Sequence, residues 1–259
     1  MGEDPRKRDA DVAAVRTALE LGYRLFDTAE MYGDGGAEAV LGAALAASEV
    51  KRDDVFIVSK VLPQNSNRSG VIAACERSLK RLGVDTIDLY LLHWRGRPAL
   101  RDTVAGFEAL RADGRVRHWG VSNFDVDDLQ ELAAIDANSN CAANQVYYSA
   151  TRRGVEFDLL PYCRARRVPL MAYSPLDEGA LMKHAGLAAI GKARGATAAQ
   201  VALAWVLRQP DVIAIPKAGS PVHLRENLAA AKMVLTDEEL AAIDCLFPPP
   251  RKKTSLAMV

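Results

Sequence analysis

The feature that most restricts what this chain can fold into is an alternation of two kinds of segment. Short runs rich in Val, Ile, Leu and Tyr recur at 24–28, 55–61, 87–93, 116–122, 143–147, 168–173 and 212–216. Runs of that length and composition read as strands buried on both faces. Between them lie stretches with helical spacing of apolar residues, at 9–21, 37–47, 70–82, 100–112, 125–134, 156–166, 197–208, 221–231 and 236–246. Gly22, Gly83 and Asp113-Gly114 stand where helices should stop. Asp125 stands where a helix should start, and Thr236 to Glu239 has the spacing of a capping box. Repeated strand–helix units imply parallel strands with right-handed crossovers. On pattern alone a (β/α) barrel and a doubly wound sheet both fit. A closed barrel of this type needs eight strands. The runs make seven, and the chain opens on a helical stretch where a strand is expected. No linker rich in Pro, Gly or Ser divides the chain, so one domain spanning 1–259 is expected.

Charge narrows the function classes. The chain carries 33 Lys and Arg against 33 Asp and Glu, without the basic excess of a nucleic-acid binder. Arg6-Lys7-Arg8 and Arg251-Lys252-Lys253 are short clusters near the ends of the sequence, where solvated tails are expected. The four cysteines, Cys75, Cys141, Cys163 and Cys245, form no CxxC pair, so no zinc is expected, and scattered thiols suit a reducing compartment. No apolar run reaches the ~18 residues of a membrane span, and MGEDPRKRDADV lacks the apolar stretch of a signal peptide. The expectation is a cytoplasmic monomer without nucleic-acid or membrane partners.

In parallel α/β folds the chemistry collects at the C-terminal ends of strands. Asp27 lies at the end of the first run, with Tyr32 in the loop that follows; Lys60 is near the end of the second, and His93 ends the third. Ser122 and Asn123 close the fourth, Gln145 falls late in the fifth, Tyr173 and Ser174 close the sixth, and Lys217 follows the seventh. Each alone has a bland explanation as packing or solvated surface, but in a barrel all would face one rim. Their chemistry also fits together. A tyrosine is a weak acid at neutral pH, and a neighbouring ammonium favours its phenolate. Lys60 is suited to do this for Tyr32, with Asp27 holding Lys60 charged and in place. His93 is suited to polarise a substrate carbonyl through a hydrogen bond. These are the parts for protonating an alkoxide. No side chain delivers hydride, so a reductase needs a nicotinamide or flavin.

At these residues the sequence resembles the aldo-keto reductase superfamily. FDTAEMYGDGGAE (26–38) resembles the family's aspartate and tyrosine motif, VSKV (58–61) its lysine motif, and LYLLHW (89–94) its histidine motif. GVSNF (120–124), NQVYYS (144–149), AYSPL (172–176) and IPKAGSPVHLREN (215–227) resemble its cofactor segments. The resemblance implies a (β/α)8 TIM barrel that reduces small aldehydes or ketones with NADPH, NADH being possible as well. It implies a catalytic tetrad of Asp27, Tyr32, Lys60 and His93. It implies that Ser122, Asn123 and Gln145 hold the nicotinamide carboxamide and that Tyr173 stacks on the ring. Ser174, Leu176 and Ile215 would line the cofactor, Lys217 would meet the adenosine phosphate, and Glu226 and Asn227 the adenine. Trp94 would line the substrate pocket.

Several positions depart from the family pattern. Ala218 stands where many relatives have Ser or Thr, and His223 where many have an arginine for the 2′-phosphate, with Arg225 two residues on. The N-terminal hairpin and first barrel strand, with its Gly-Thr pair, are absent, which implies an upstream start or a truncated form. After Phe247 only three prolines and RKKTSLAMV remain, so an open pocket for small carbonyls such as 2-oxoaldehydes is expected. The alternative within the superfamily is a cofactor-binding regulatory subunit or an inactive truncated member. A hydrolase lacks its GxSxG turn, and the four histidines have no ligand spacing. Gly33, Gly35 and Gly36 resemble a dinucleotide loop, but Glu38 occupies the third glycine position, so a turn is expected.

Overall fold

A computed structural model describes residues 1–136 and 140–258 of the chain. They form two compact units: Met1–Ser122 with Asp127–Ala143, and Asn123–Val126 with Asn144–Val259.

The first unit begins with a 3-10 turn, Pro5–Lys7, followed by α1 (Arg8–Glu20), β1 (Leu25–Asp27) and α2 (Gly36–Ala46). Then come β2 (Phe56–Val61), α3 (Arg68–Leu82), β3 (Ile87–Leu92), α4 (Leu100–Ala112), β4 (Val116–Ser122) and α5 (Val126–Ile135). The strands β1 to β4 are parallel neighbours in chain order. All six residues of β3 are buried, which is why its sequence is a near-continuous apolar run. Gly22 and Gly83 adopt the left-handed backbone that ends a helix. The Gly83 N–H closes on the Leu79 carbonyl at 2.8 Å. The start of α3 lies two residues earlier than its apolar spacing suggests, because Asn67 caps it by accepting from the Gly70 N–H at 2.8 Å.

Register places the chemistry. Asp27 pairs with Val58, and Lys60 pairs with Leu91. The ladder continues past the strands: the Glu30 N–H donates to the Lys60 carbonyl at 3.3 Å, and the His93 N–H to the Val61 carbonyl at 3.0 Å. Asp27 is thus opposite a residue two before Lys60, and Lys60 opposite one two before His93, so the three step along successive strands on one face of the sheet.

The second unit holds most of β5 (Cys141–Tyr147), then α6 (Leu159–Ala165), β6 (Leu170–Tyr173), α7 (Ala185–Ala193), α8 (Ala198–Leu207), β7 (Val212–Ile215), α9 (Pro221–Ala230) and α10 (Asp237–Leu246). The strands β5, β6 and β7 are parallel, with Tyr147 opposite Tyr173 and Tyr173 opposite Ile215. Capping boxes begin α8 at Thr197 and α10 at Thr236. The helix expected over 156–166 divides into a 3-10 turn, Gly154–Glu156, and the shorter α6. Pro161 explains the division, since a proline is accommodated only in a helix's first turn. The alternation gives no sign of α7, whose glycines at 186 and 191 interrupt the apolar stripe. Among the described residues seven strands are present, at the positions the alternation predicts.

Candidate active site

In the first unit the tetrad residues come together around a fully buried lysine. Lys60 side-chain nitrogen Nζ donates to Asp27 Oδ2 at 2.6 Å, to the Thr28 carbonyl at 2.9 Å and to the Tyr32 hydroxyl at 3.2 Å. An ammonium has three N–H donors, and here each has an acceptor. Because the tyrosine oxygen accepts from Lys60, its own hydrogen is directed elsewhere. Nζ also lies 4.7 Å from the centre of the Tyr32 ring. Burial opposes the charge on Lys60, but the Asp27 carboxylate and then Tyr32 outweigh it, and its pKa is raised above the ordinary lysine value. Lys60 is a cation at every physiological pH.

The His93 ring meets the Tyr32 ring edge-on, with centroids 5.7 Å apart, and Trp94 follows it at 4.8 Å. Burial, reinforced by the Lys60 ammonium, pushes His93 down to about 3. The imidazole is therefore neutral at pH 7, with one nitrogen carrying a proton. Trp94 is only half-buried, and Met31, beside Tyr32, is exposed. Ser122 is buried at the end of β4.

In the second unit Asn123, Gln145 and Tyr173 converge. The Asn123 N–H donates to the Gln145 carbonyl at 2.8 Å, and the Tyr173 hydroxyl donates to Asn123 Oδ1 at 2.9 Å. Asn123 and Ser174 both adopt left-handed backbone, with φ of 59° and 45°. Such values are uncommon outside glycine and mark local strain of the kind found at functional sites. Leu176 follows in the same loop, and Ile215 ends β7. Lys217 is exposed, three residues before the Ser220 cap of α9. Glu226 and the buried Asn227 lie along that helix.

Sequence reasoning missed the supports of these groups. The Tyr147 ring lies 5.3 Å from that of Tyr173, and the Tyr147 hydroxyl donates to Asp177 at 2.5 Å. Asp177 also takes an ion pair from Arg152 at 3.3 Å. Burial and the Asp177 bond push Tyr147 up to about 12, so it stays a phenol and keeps donating. In the first unit Glu30 accepts from the Leu62 N–H at 2.8 Å and from Asn65 at 3.0 Å, fixing the segment just beyond Lys60. The signal for Tyr147 was the doubled tyrosine of NQVYYS; Asp177 and Glu30 carried none.

The geometry agrees with the relatives found by comparison. Residues 2–247 match the family model for the aldo/keto reductase family. The chain is 48% identical to methylglyoxal reductase YeaE of Escherichia coli, over all of this chain and 92% of that one. It is 37% identical to glyoxal reductase of Bacillus subtilis, over 90% of this chain and 82% of that one. The crystal structure of an aldo-keto reductase from Klebsiella pneumoniae in complex with NADPH superposes with a TM-score of 0.96 at 47% identity, covering 100% of this chain and 92% of that one. A likeness of that degree assigns the (β/α)8-barrel fold. With its strand-end tetrad assembled and its sequence matched from residue 2 to residue 247, the chain belongs to the aldo/keto reductase family.

Proposed function

We propose that this protein reduces small aldehydes and ketones, 2-oxoaldehydes foremost, to alcohols with NADPH, Tyr32 supplying the proton. By its family the chain is an NAD(P)H-dependent oxidoreductase, and we take 1–259 to act as one reductase domain. NADPH, when bound, supplies the hydride that adds to the carbonyl carbon. The donor set suits such a cofactor. Tyr173 offers an aromatic face held by Asn123 and Tyr147, the amides of Asn123 and Gln145 match a carboxamide, and Lys217 is an exposed cation for a phosphate. Ser122 adds a hydroxyl to the carboxamide group. Ser174, Leu176 and Ile215 line the cofactor, and Glu226 and Asn227 meet its adenine.

The observation that carries the reading is the Asp27–Lys60–Tyr32 chain of contacts at 2.6 and 3.2 Å. The Tyr32 hydroxyl proton moves to the carbonyl oxygen as charge builds there. The fixed Lys60 ammonium stabilises the negative charge left on the phenol oxygen, and water later restores the proton. Neutral His93 donates a hydrogen bond to the same substrate oxygen, and Trp94 packs against the substrate. The similarity to a methylglyoxal reductase and a glyoxal reductase supports a preference for small carbonyls. The free thiols Cys75, Cys141, Cys163 and Cys245 support a cytoplasmic setting, and no described helix is long and apolar enough to cross a membrane.

The deciding experiment measures NADPH oxidation with methylglyoxal for the wild type and Tyr32→Phe. Turnover by the wild type and a loss of at least ~100-fold in kcat in the variant, with NADPH still bound, is expected. A variant as fast as the wild type refutes Tyr32 as the proton source. NADPH binding by the wild type with no turnover of any aldehyde would favour a regulatory member of the family.

A further inference from the structure

The glycines at 33, 35 and 36 follow Tyr32 directly, and the protein itself fills the space that their missing side chains leave. The Gly2 carbonyl oxygen lies only 2.4 Å from where a Cβ would stand at Gly33 and 2.1 Å from where one would stand at Gly36. A Cβ at Gly2 would in turn overlap the Gly36 backbone and the Ala37 nitrogen. Gly2 has a φ of 76°, and its N–H donates to Asp11 of α1 at 2.8 Å. On the other side the Arg81 side chain covers Gly35, which has a φ of 87°. Arg81 pairs with the fully buried Glu38 at 2.6 Å, and Glu38 accepts from Ser59 at 2.5 Å, one residue before Lys60. Tyr32 lies between these supports. Its N–H reaches the Ala29 carbonyl at 3.1 Å, and its own carbonyl accepts from the Ala37 N–H at 3.1 Å.

We propose that Gly2 is a positioning residue for carbonyl reduction. Its backbone, seated on Gly33 and Gly36, sets the height of the loop that carries Tyr32, and with it the 3.2 Å contact to Lys60. The inference rests on Tyr32 being the proton donor. A methyl group at position 2 or 36 forces this backbone contact to open by about 1 Å to reach ordinary van der Waals separation. A displacement of that size at a reacting group is sufficient to lower a rate up to ~100-fold.

The test compares Gly2→Ala, Gly36→Ala and the double variant in the full chain, with NADPH and methylglyoxal. Gly36 opens α2 without a left-handed backbone, and alanine is favoured over glycine in a helix, so Gly36→Ala is expected to fold. Each single variant should lose about 10-fold in kcat while the KM for NADPH and its binding by fluorescence titration stay within about twofold of the wild type. The double variant should be no slower than the slower single one, since both changes break one contact. A wild-type kcat in Gly36→Ala, losses that multiply in the double variant, or a loss that tracks weakened NADPH binding each overturn the role given to Gly2. The two ideas separate cleanly. If Tyr32→Phe keeps its rate, the proton-donor reading fails. If Tyr32→Phe is inactive while both glycine variants turn over normally, only the positioning role fails.

Discussion

Replacing His93 with glutamine should make the protein more tolerant of acid. His93 is 9% exposed, and burial followed by the Lys60 ammonium lowers its pKa from 6.5 to about 3. In the unfolded chain the same imidazole takes a proton near 6.5. Between those two values the unfolded state binds a proton that the folded state refuses, so stability is full above pH 6.5 and falls as the pH drops toward 3. At about 1.4 kcal/mol per pH unit, the loss reaches about 3 kcal/mol at about pH 4.5 and on the order of 5 kcal/mol at the bottom of the window. Glutamine does not titrate, and whatever its substitution costs in packing is the same at both pH values. Urea unfolding of wild type and His93→Gln at about pH 7 and about pH 4.5 isolates the effect. The wild type should lose about 3 kcal/mol more than the variant over that interval. A difference between the two proteins that stays constant to about 0.5 kcal/mol would show that His93 is not held neutral by its surroundings.

Three further predictions concern the supports of the candidate site. Asp27→Asn leaves the fully buried Lys60 ammonium without its carboxylate, and urea unfolding should show a loss of about 3–5 kcal/mol, partly recovered when Lys60→Met is added. Glu38→Gln keeps the shape but removes the charge facing Arg81; a loss of about 1–3 kcal/mol should appear as a Tm lowered by several degrees in calorimetry. Tyr147→Phe removes the 2.5 Å bond to Asp177 beneath Tyr173; stopped-flow fluorescence should show faster NADPH release, with kcat for methylglyoxal changed less than about twofold, as hydrogen bonds to charged groups contribute about 1.5–3 kcal/mol.

Much of this was legible in the sequence, for identifiable reasons. Strands buried on both faces must be largely apolar, so β2 and β3 stood out, and β4 fell at its expected bounds although Arg117 and His118 within it are exposed. A polar residue at the end of such a run is conspicuous, which is how Asp27, Lys60 and His93 could be picked out one by one. The boundaries were less visible where side chains set them. The strand β5 starts two residues early at Cys141, whose N–H donates to Asp136 at 3.0 Å. Long-range supports left no mark. Glu38 and Arg81 are 43 positions apart, and Tyr147 and Asp177 are 30 apart; nothing local to either partner announces the pairing. Gly33 and Gly35 lie in the expected turn and Gly36 opens α2, but the backbone packed against Gly33 and Gly36 comes from position 2, outside any motif.

The three committed hydrogens of Lys60 also bear on what the protein survives. Reactive aldehydes condense with lysines only through the free amine, which has a lone pair to attack the carbonyl. Here that lone pair is occupied by a proton, and the raised pKa keeps it occupied. The nitrogen is closed to solvent and directed at Asp27, Thr28 and Tyr32. The proposed proton donor is thus flanked by an amine held in the protonation state that such electrophiles leave unmodified.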